Sequence, residues 1–216
     1  MITEQLAQYY AVNAATYDAG YDTEVFQDDL EELHERVEDL LAGHKVLELA
    51  CGTGYWTETL AGVAESVLAT DINPAMLTLA EARALDDEVV EFRLADALAL
   101  PDDIGSFTAC FAGFWWSHVK REQQEAFLKQ LRNKLGKDTL LVLIDSTYVD
   151  ELSTVIARTD LEGNTFQIRT AADGQRYEVL KNYPTDSTLR KKVGVAGRDL
   201  RVRRLEHFYL LSCRLK

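Results

Sequence analysis

Apolar positions along the chain alternate between two spacings. Over 24–42, Leu30, Leu33, Val37, Leu40 and Leu41 lie three and four residues apart or adjacent, which predicts a helix with one apolar face, and Gly43 supplies its stop. At 45–50 the spacing collapses to a short apolar run, Val46, Leu47 and Leu49, of buried-strand type. The same exchange then recurs. Strand-like runs at 66–70, 89–94, 107–111 and 139–144 are separated by helical faces. These carry Trp56, Leu60 and Val63 over 55–63, Met76, Leu77, Ala80 and Ala84 after Asn73-Pro74, and Phe127, Leu128, Leu131 and Leu135 over 120–135. Asn73 and Pro74 suit an N-cap and first helical position, and Gly136 ends the last of these helices. Strands alternating with helices predict an α/β fold built on a doubly wound sheet.

The flanks read differently. Residues 3–17 predict a short helix with Thr3 as N-cap and Leu6, Tyr9 and Tyr10 on one side, followed by a turn over 17–21. After 145, a helix-like segment at 149–158 leads to strand-like runs at 165–170 and 175–183, and Asp173-Gly174 between them predicts a hairpin. A basic helix over 185–193 and a final strand over 202–213 follow.

Composition narrows the class. With 216 residues, 47% hydrophobic and 27% charged, the chain reads as one soluble globular domain with a sizeable core. No apolar stretch approaches the roughly 18–20 residues of a membrane helix, and the acidic N-terminal region lacks a signal-peptide pattern. Cys51, Cys110 and Cys213 are few and widely spaced, which argues against a disulfide framework or a zinc cluster, so a cytoplasmic protein is expected. The net charge of −13 disfavours a nucleic-acid partner. It is unevenly placed: ten Lys and Arg against three acids give 181–216 a charge of +7 and leave −20 for 1–180. That segment is either a solvated outer face or a sign of an anionic substrate or acidic partner.

The candidate chemistry centres on 45–54, Lys-Val-Leu-Glu-Leu-Ala-Cys-Gly-Thr-Gly, where a strand breaks into a glycine turn and a helix begins at Tyr55. Glycine lets a ligand approach bare backbone, and a helix start offers free N–H groups to an anionic group. A phosphate-binding loop needs Lys-Ser or Lys-Thr after its second glycine, and Tyr55-Trp56 stand there; a dinucleotide fingerprint needs Gly or Ala where Thr57 stands. What remains is E-x-x-x-G-x-G, formed by Glu48, Gly52 and Gly54. Asp71 ends the second strand beside this turn, where its two oxygens can accept both hydroxyls of a ribose. Asp96 ends the third, placed to accept from an adenine amino group, with Ala97 leaving room for the ring; capping a turn is the alternative for this acid.

This series resembles the class I S-adenosylmethionine-dependent methyltransferases, in particular their small-molecule, UbiE/UbiG-like members, through ordered motifs over about the first 145 residues. The resemblance implies a Rossmann-like seven-stranded sheet in the order 3-2-1-4-5-7-6 with its last strand antiparallel. It implies one domain over 1–216: N-terminal lid helices to 43, a cofactor-binding core over 44–145, and a substrate-side insertion and closing hairpin over 146–216. The cofactor would be S-adenosyl-L-methionine, the product S-adenosyl-L-homocysteine, and no metal is expected. By the same resemblance Glu48, Ala50, Gly52 and Gly54 would hold the methionine part, Asp71 the ribose, and Ile72, Met76, Asp96 and Ala97 the adenine, with Tyr17 and Phe111 also against the cofactor. Tyr9, Tyr10 and Tyr17 look like the aromatic lid of small-molecule members, an environment suited to a sulfonium cation; a docking helix on the core is the plain alternative.

For the acceptor, the informative stretch is Phe111 to His118, Phe-Ala-Gly-Phe-Trp-Trp-Ser-His. It lacks the Asn/Asp-Pro-Pro-Tyr/Phe of nucleobase-amine methyltransferases and the acids that hold magnesium in catechol-type enzymes. An aromatic wall with one imidazole suits a compact, partly apolar molecule. His118 is a candidate general base or a structural residue. Trp115 and Trp116 are pocket or core; Asp145 either orients the acceptor or caps a turn; Tyr148, Phe166 and Arg169 are further pocket candidates. The expected function is methyl transfer to oxygen or nitrogen of a small molecule by a monomer or homodimer without membrane contact. An RNA- or protein-directed methyltransferase and a non-catalytic cofactor-binding partner are the rivals.

Overall fold

The computed structural model describes residues 4–216, so the expected Thr3 cap lies outside the described residues. Helix α1 (Glu4–Asn13) runs into two short 3-10 segments, Ala14–Gly20 and Glu24–Phe26, before α2 (Gln27–Leu41). The alternating part follows: β1 (Lys45–Leu49), α3 (Tyr55–Ala61), β2 (Ser66–Asp71), α4 (Pro74–Glu81), β3 (Val90–Leu94), β4 (Ala109–Gly113), α5 (Gln124–Leu135) and β5 (Leu140–Ser146). Then come β6 (Ile156–Thr159), β7 (Thr165–Thr170), β8 (Arg176–Leu180), α6 (Asp186–Val193), β9 (Gly197–Arg204) and β10 (Phe208–Leu215).

The main sheet has seven strands in the order β3-β2-β1-β4-β5-β10-β9. The first five are parallel, β10 is antiparallel to β5, and β9 is antiparallel to β10. This is the expected Rossmann-like order with an antiparallel end. Because successive strand residues face opposite sides, the sheet feeds two apolar layers. Leu47, Leu49, Leu141 and Leu143 pack with Leu128 and Leu131 of α5 on one side. Val46, Val142 and Ile144 pack with Leu33 and Val37 of α2 and Trp56 of α3 on the other. Glu48 falls on the Val46 side, a carboxylate where the strand pattern calls for an apolar residue. The helix signals act locally as read: the Asn73 side chain accepts the Ala75 N–H at 3.0 Å, with Pro74 first in α4. Among the described residues no helix is long and apolar enough to cross a membrane.

Three expectations change beyond β5. The 149–158 segment is not a helix: it forms turns and then β6, because Thr154, Val155 and Ile156 are β-branched and β7 offers a strand edge to pair with. The Asp173-Gly174 hairpin forms, with Gly174 at φ 79°, but it joins β7 to β8 in a separate three-stranded sheet, β6-β7-β8. The single strand expected over 202–213 is instead the β9–β10 hairpin that closes the main sheet. Its turn carries no glycine or proline; it is held from elsewhere, by Asp29 accepting the His207 N–H at 2.7 Å and by Thr147 N–H donating to the His207 carbonyl.

Candidate active site

Between β1 and α3 the backbone enters the left-handed region at every second residue: Ala50, Gly52 and Gly54 have φ of 53°, 60° and 80°. Ala50 does so with a Cβ, at a cost of roughly 1–2 kcal/mol. The glycines serve different purposes. Nothing lies within 4 Å of the place a Gly52 Cβ would take, so that backbone borders open space, whereas a Gly54 Cβ would stand 3.1 Å from Ala80 Cβ. Gly52 therefore exposes backbone to a ligand and Gly54 lets α4 pack against the turn.

The turn forms one side of a cavity that also takes in the ends of β1, β2 and β4. Its wall contains two acids, Glu48 and Asp71, and no Lys or Arg. Asp71, at the end of β2, is buried, with one carboxylate oxygen accepting the Gly52 N–H at 2.9 Å and the other the Asn73 N–H at 2.8 Å. Burial raises its pKa against the pull of the Asn73, Gly52 and Ile72 amides. Glu48 is buried with a single side-chain partner, the Thr57 hydroxyl, which donates to it at 2.6 Å. Burial pushes its pKa up to about 8, against the Thr57 hydrogen bond and with a small further push from Asp71.

The roof comes from the N-terminal segment. Tyr10, Tyr17, Tyr21 and Tyr55 form a chain of ring contacts, edge-on at 5.6 and 6.0 Å and then stacked at 3.8 Å. Asp18 fastens this segment to the glycine turn: it accepts the Thr53 hydroxyl at 2.5 Å and pairs with Arg83, whose Nε donates to the Thr53 carbonyl at 2.7 Å. Tyr10 reaches His118 at 2.8 Å, and the other ring nitrogen of His118 lies 2.5 Å from the Leu180 carbonyl. A carbonyl only accepts, so Nδ1 carries the proton and Nε2 accepts from the Tyr10 hydroxyl. Burial, then the charge of Lys181, pulls the His118 pKa to about 3. In this arrangement His118 is a neutral anchor for Tyr10, with its lone pair already engaged.

A second cavity lies across the Tyr10, Tyr17, Tyr21 and Phe114 side chains, which wall both spaces. Arg169, Lys181, Tyr183 and His207 border it, with hydroxyls from Ser146, Thr147, Ser153 and Thr154. Lys181 is buried and pairs at 2.8 Å with Asp145, which is fully buried. Asp145 also accepts the Ser117 N–H and hydroxyl at 2.8 and 3.0 Å. Burial alone would raise the Asp145 pKa, but Lys181 and the Ser117 amide outweigh it and hold the carboxyl below the usual range.

Of the residues singled out from sequence, the first cavity gathers Tyr10, Tyr17, Glu48, Ala50, Gly52, Asp71, Ile72, Met76, Trp115 and His118 in its wall. Others stand apart. Phe111 is fully buried against Trp56, and Trp116 is buried against Phe127, so both belong to the core. Asp96 spends one oxygen on the Leu98 N–H at 2.8 Å, the turn-capping alternative, and Ala97 packs into the core. Asp145 is enclosed by Lys181 and Ser117 rather than open to an acceptor. Tyr9 packs on Tyr177, Tyr148 on Tyr183, and Phe166 lies under Arg158, its ring centre 3.7 Å from the guanidinium; only Arg169 of the post-145 candidates borders a cavity. Lys181, Thr57, Arg83 and the Tyr21–Tyr55 stack were missed. Lys181 had a signal: the buried face of Tyr177 and Val179 continues onto it at the same two-residue spacing.

Residues 46–138 match the family model described as a methyltransferase domain. Demethylmenaquinone methyltransferase of Clavibacter sepedonicus is 40% identical over 79 residues, covering 37% of this chain and 32% of that protein; the chain thus matches about a third of that relative's length. Among solved structures, a DhpI–SAH complex superposes with a TM-score of 0.76 at 29% identity, over 99% of this chain and 97% of that one. A DhpI–SAM–HEP complex gives 0.78 at 26% identity, over 99% and 100%.

Proposed function

The chain belongs to the class I S-adenosylmethionine-dependent methyltransferase family, and from that premise we propose that it transfers a methyl group to an oxygen or nitrogen of a small-molecule acceptor. The observation that carries the reading is the first cavity: two buried acids on a glycine turn, facing no Lys or Arg. Such a wall suits a ligand that is cationic at one end and rich in hydroxyls at the other. S-adenosylmethionine has an ammonium, a sulfonium and a ribose, and when bound it supplies a methyl group on electrophilic sulfur.

This chain's residues divide the work. Each Asp71 oxygen already accepts one amide N–H and keeps a lone pair, so the carboxylate can take a pair of adjacent ribose hydroxyls. Glu48, Ala50 and Gly52 border the methionine part, where a nearby cation would return the Glu48 carboxyl to its ionised form. Ile72 and Met76 flank the adenine. Tyr17 and Tyr10 exclude water from above, and an aromatic face suits the sulfonium. Holding the acceptor in line with the methyl carbon provides much of the acceleration, since well-oriented pairs reach effective molarities of about 10⁵–10⁸ M. His118 contributes by positioning Tyr10.

Half of the ten basic side chains in the C-terminal segment are already paired, which weakens the case for a nucleic-acid-directed enzyme. Lys181, Lys192, Arg198, Arg203 and Arg204 each meet a carboxylate, on Asp145, Glu125, Asp138, Glu32 and Asp186. Calorimetry with S-adenosylhomocysteine tests the reading. The parent protein is expected to bind, and Asp71→Ala to bind at least tenfold more weakly. No binding by the parent defeats the cofactor assignment; unchanged affinity in Asp71→Ala defeats the ribose assignment alone. Methyl transfer from labelled cofactor to a metabolite panel then distinguishes an enzyme from a binding protein.

A further inference from the structure

The second cavity has a charge that the rest of the molecule does not share. The chain carries 36 Asp and Glu, and none stands in this wall, whereas Arg169 and Lys181 both do. Lys181 is neutralised by Asp145. Arg169 is not: Nε and Nη2 both donate to the Gln167 side-chain oxygen, at 3.0 and 2.7 Å, and the guanidinium carbon lies 5.7 Å from the centre of the Tyr9 ring. Among the described residues no carboxylate pairs with it. A cation drawn into a protein wall without a counter-charge is unfavourable unless something in the cavity supplies one. Planar guanidinium matches carboxylate and phosphoryl oxygens in particular.

The bases of the site point the same way. The His118 lone pair is taken by Tyr10, and Asp145 is enclosed by Lys181 and Ser117. Neither is free to remove a proton from a neutral hydroxyl or ammonium group, which leaves His207, held through Nδ1 by Asp29, as the one imidazole in that wall. An oxyanion needs no such step.

Resting on the methyltransferase reading, we propose that the acceptor is an oxyanion, a carboxylate or a phosphorus oxyacid, held by Arg169 in the second cavity and methylated on its own oxygen. A lone pair of that oxygen forms the new O–C bond while the C–S bond breaks and its electron pair stays on sulfur. One negative and one positive charge cancel, and no proton moves. A carboxylate becomes a neutral ester and a phosphorus oxyacid loses one negative charge, so the product is held less strongly by Arg169 than the acceptor was, which favours its release.

The test titrates acetate, inorganic phosphate and neutral acetamide, at constant ionic strength, into protein saturated with S-adenosylhomocysteine. It uses the parent, Arg169→Gln and Arg169→Lys. Saturable binding of acetate or phosphate is expected, at least tenfold weaker in Arg169→Gln and partly regained in Arg169→Lys, with none for acetamide. Which of the two anions binds identifies the acid class. The homocysteine product should bind all three proteins within about twofold. Cofactor binding with no saturable anion binding, or anion binding unchanged in Arg169→Gln, overturns this proposal and leaves the cofactor reading intact. Failure of the parent to bind S-adenosylhomocysteine overturns both.

Discussion

Glu48→Gln ought to abolish a proton that the parent protein releases when it binds its cofactor. The free protein holds Glu48 at a pKa of about 8, because burial outweighs the single Thr57 hydrogen bond. A ligand ammonium beside it, which S-adenosylhomocysteine and S-adenosylmethionine both carry, favours the carboxylate and draws that pKa back toward its ordinary 4.5. The sign follows from linkage: the proton is bound in the free state and absent in the complex, so affinity weakens as pH falls below about 8. Well below that pKa each pH unit costs about 1.36 kcal/mol, and from pH 8, where the group is half protonated, to pH 6 the loss of affinity is roughly fiftyfold. At pH 7 a group of pKa about 8 is roughly nine-tenths protonated, so about 0.9 proton should leave per ligand bound. Calorimetric titration of S-adenosylhomocysteine in two buffers of different ionisation enthalpy measures that number directly. Glutamine has the same shape and can still accept from Thr57, so the variant isolates the charge. A buffer-independent heat in the parent, or an equal proton release in Glu48→Gln, would refute the reasoning.

Other perturbations probe the scaffold. Lys181→Met leaves the buried Asp145 carboxylate without its cation and should cost about 3–5 kcal/mol in urea unfolding at pH 8. The loss should shrink toward pH 5, because the unpaired carboxyl, with its folded pKa now raised, takes up a proton; an unchanged midpoint would count against the pair. Tyr10→Phe removes the hydroxyl donated to His118 and should weaken roof docking by about 1 kcal/mol. Amide exchange in α1 would then rise about fivefold, and the His118 ring, followed by NMR, would take a proton at higher pH. Ala50→Gly relieves a left-handed Cβ at a smaller cost in unfolded-chain entropy. Its net stabilisation of roughly 0.5–1 kcal/mol should appear as a slightly higher calorimetric Tm, and a lower one would show that no strain is stored there.

The alternating part of the fold was legible because its signals are local. Val46, Leu47 and Leu49 are buried wherever the rest of the chain goes, and Asn73-Pro74 caps α4 with its own side chain. The acids at 48 and 71 were visible because each interrupts or ends an apolar strand. Legibility failed where tertiary contacts decide. Nothing near 205–207 resembles a turn; Asp29 and Thr147, far off in sequence, make it one. Thr57 counted only against a dinucleotide fingerprint, yet it holds the Glu48 carboxyl. Phe111 and Trp116 belong to an aromatic run in which every residue could face a ligand. Only strand phase and the seating of α5 against the sheet turn those two inward.

The tyrosine partition between the two cavities couples their traffic. Tyr10, Tyr17 and Tyr21 belong to one N-terminal segment fastened at Asp18, Asn73 and His118, so a motion that uncovers one compartment uncovers its neighbour. On the proposed reading, the spent cofactor and the methylated product share a single exit event, whose frequency depends on how quickly those fastenings let go. Turnover then reports the lifetime of the closed partition as much as the speed of bond making, and substitutions at Arg83 or Asp18 become levers on rate although neither touches the acceptor compartment.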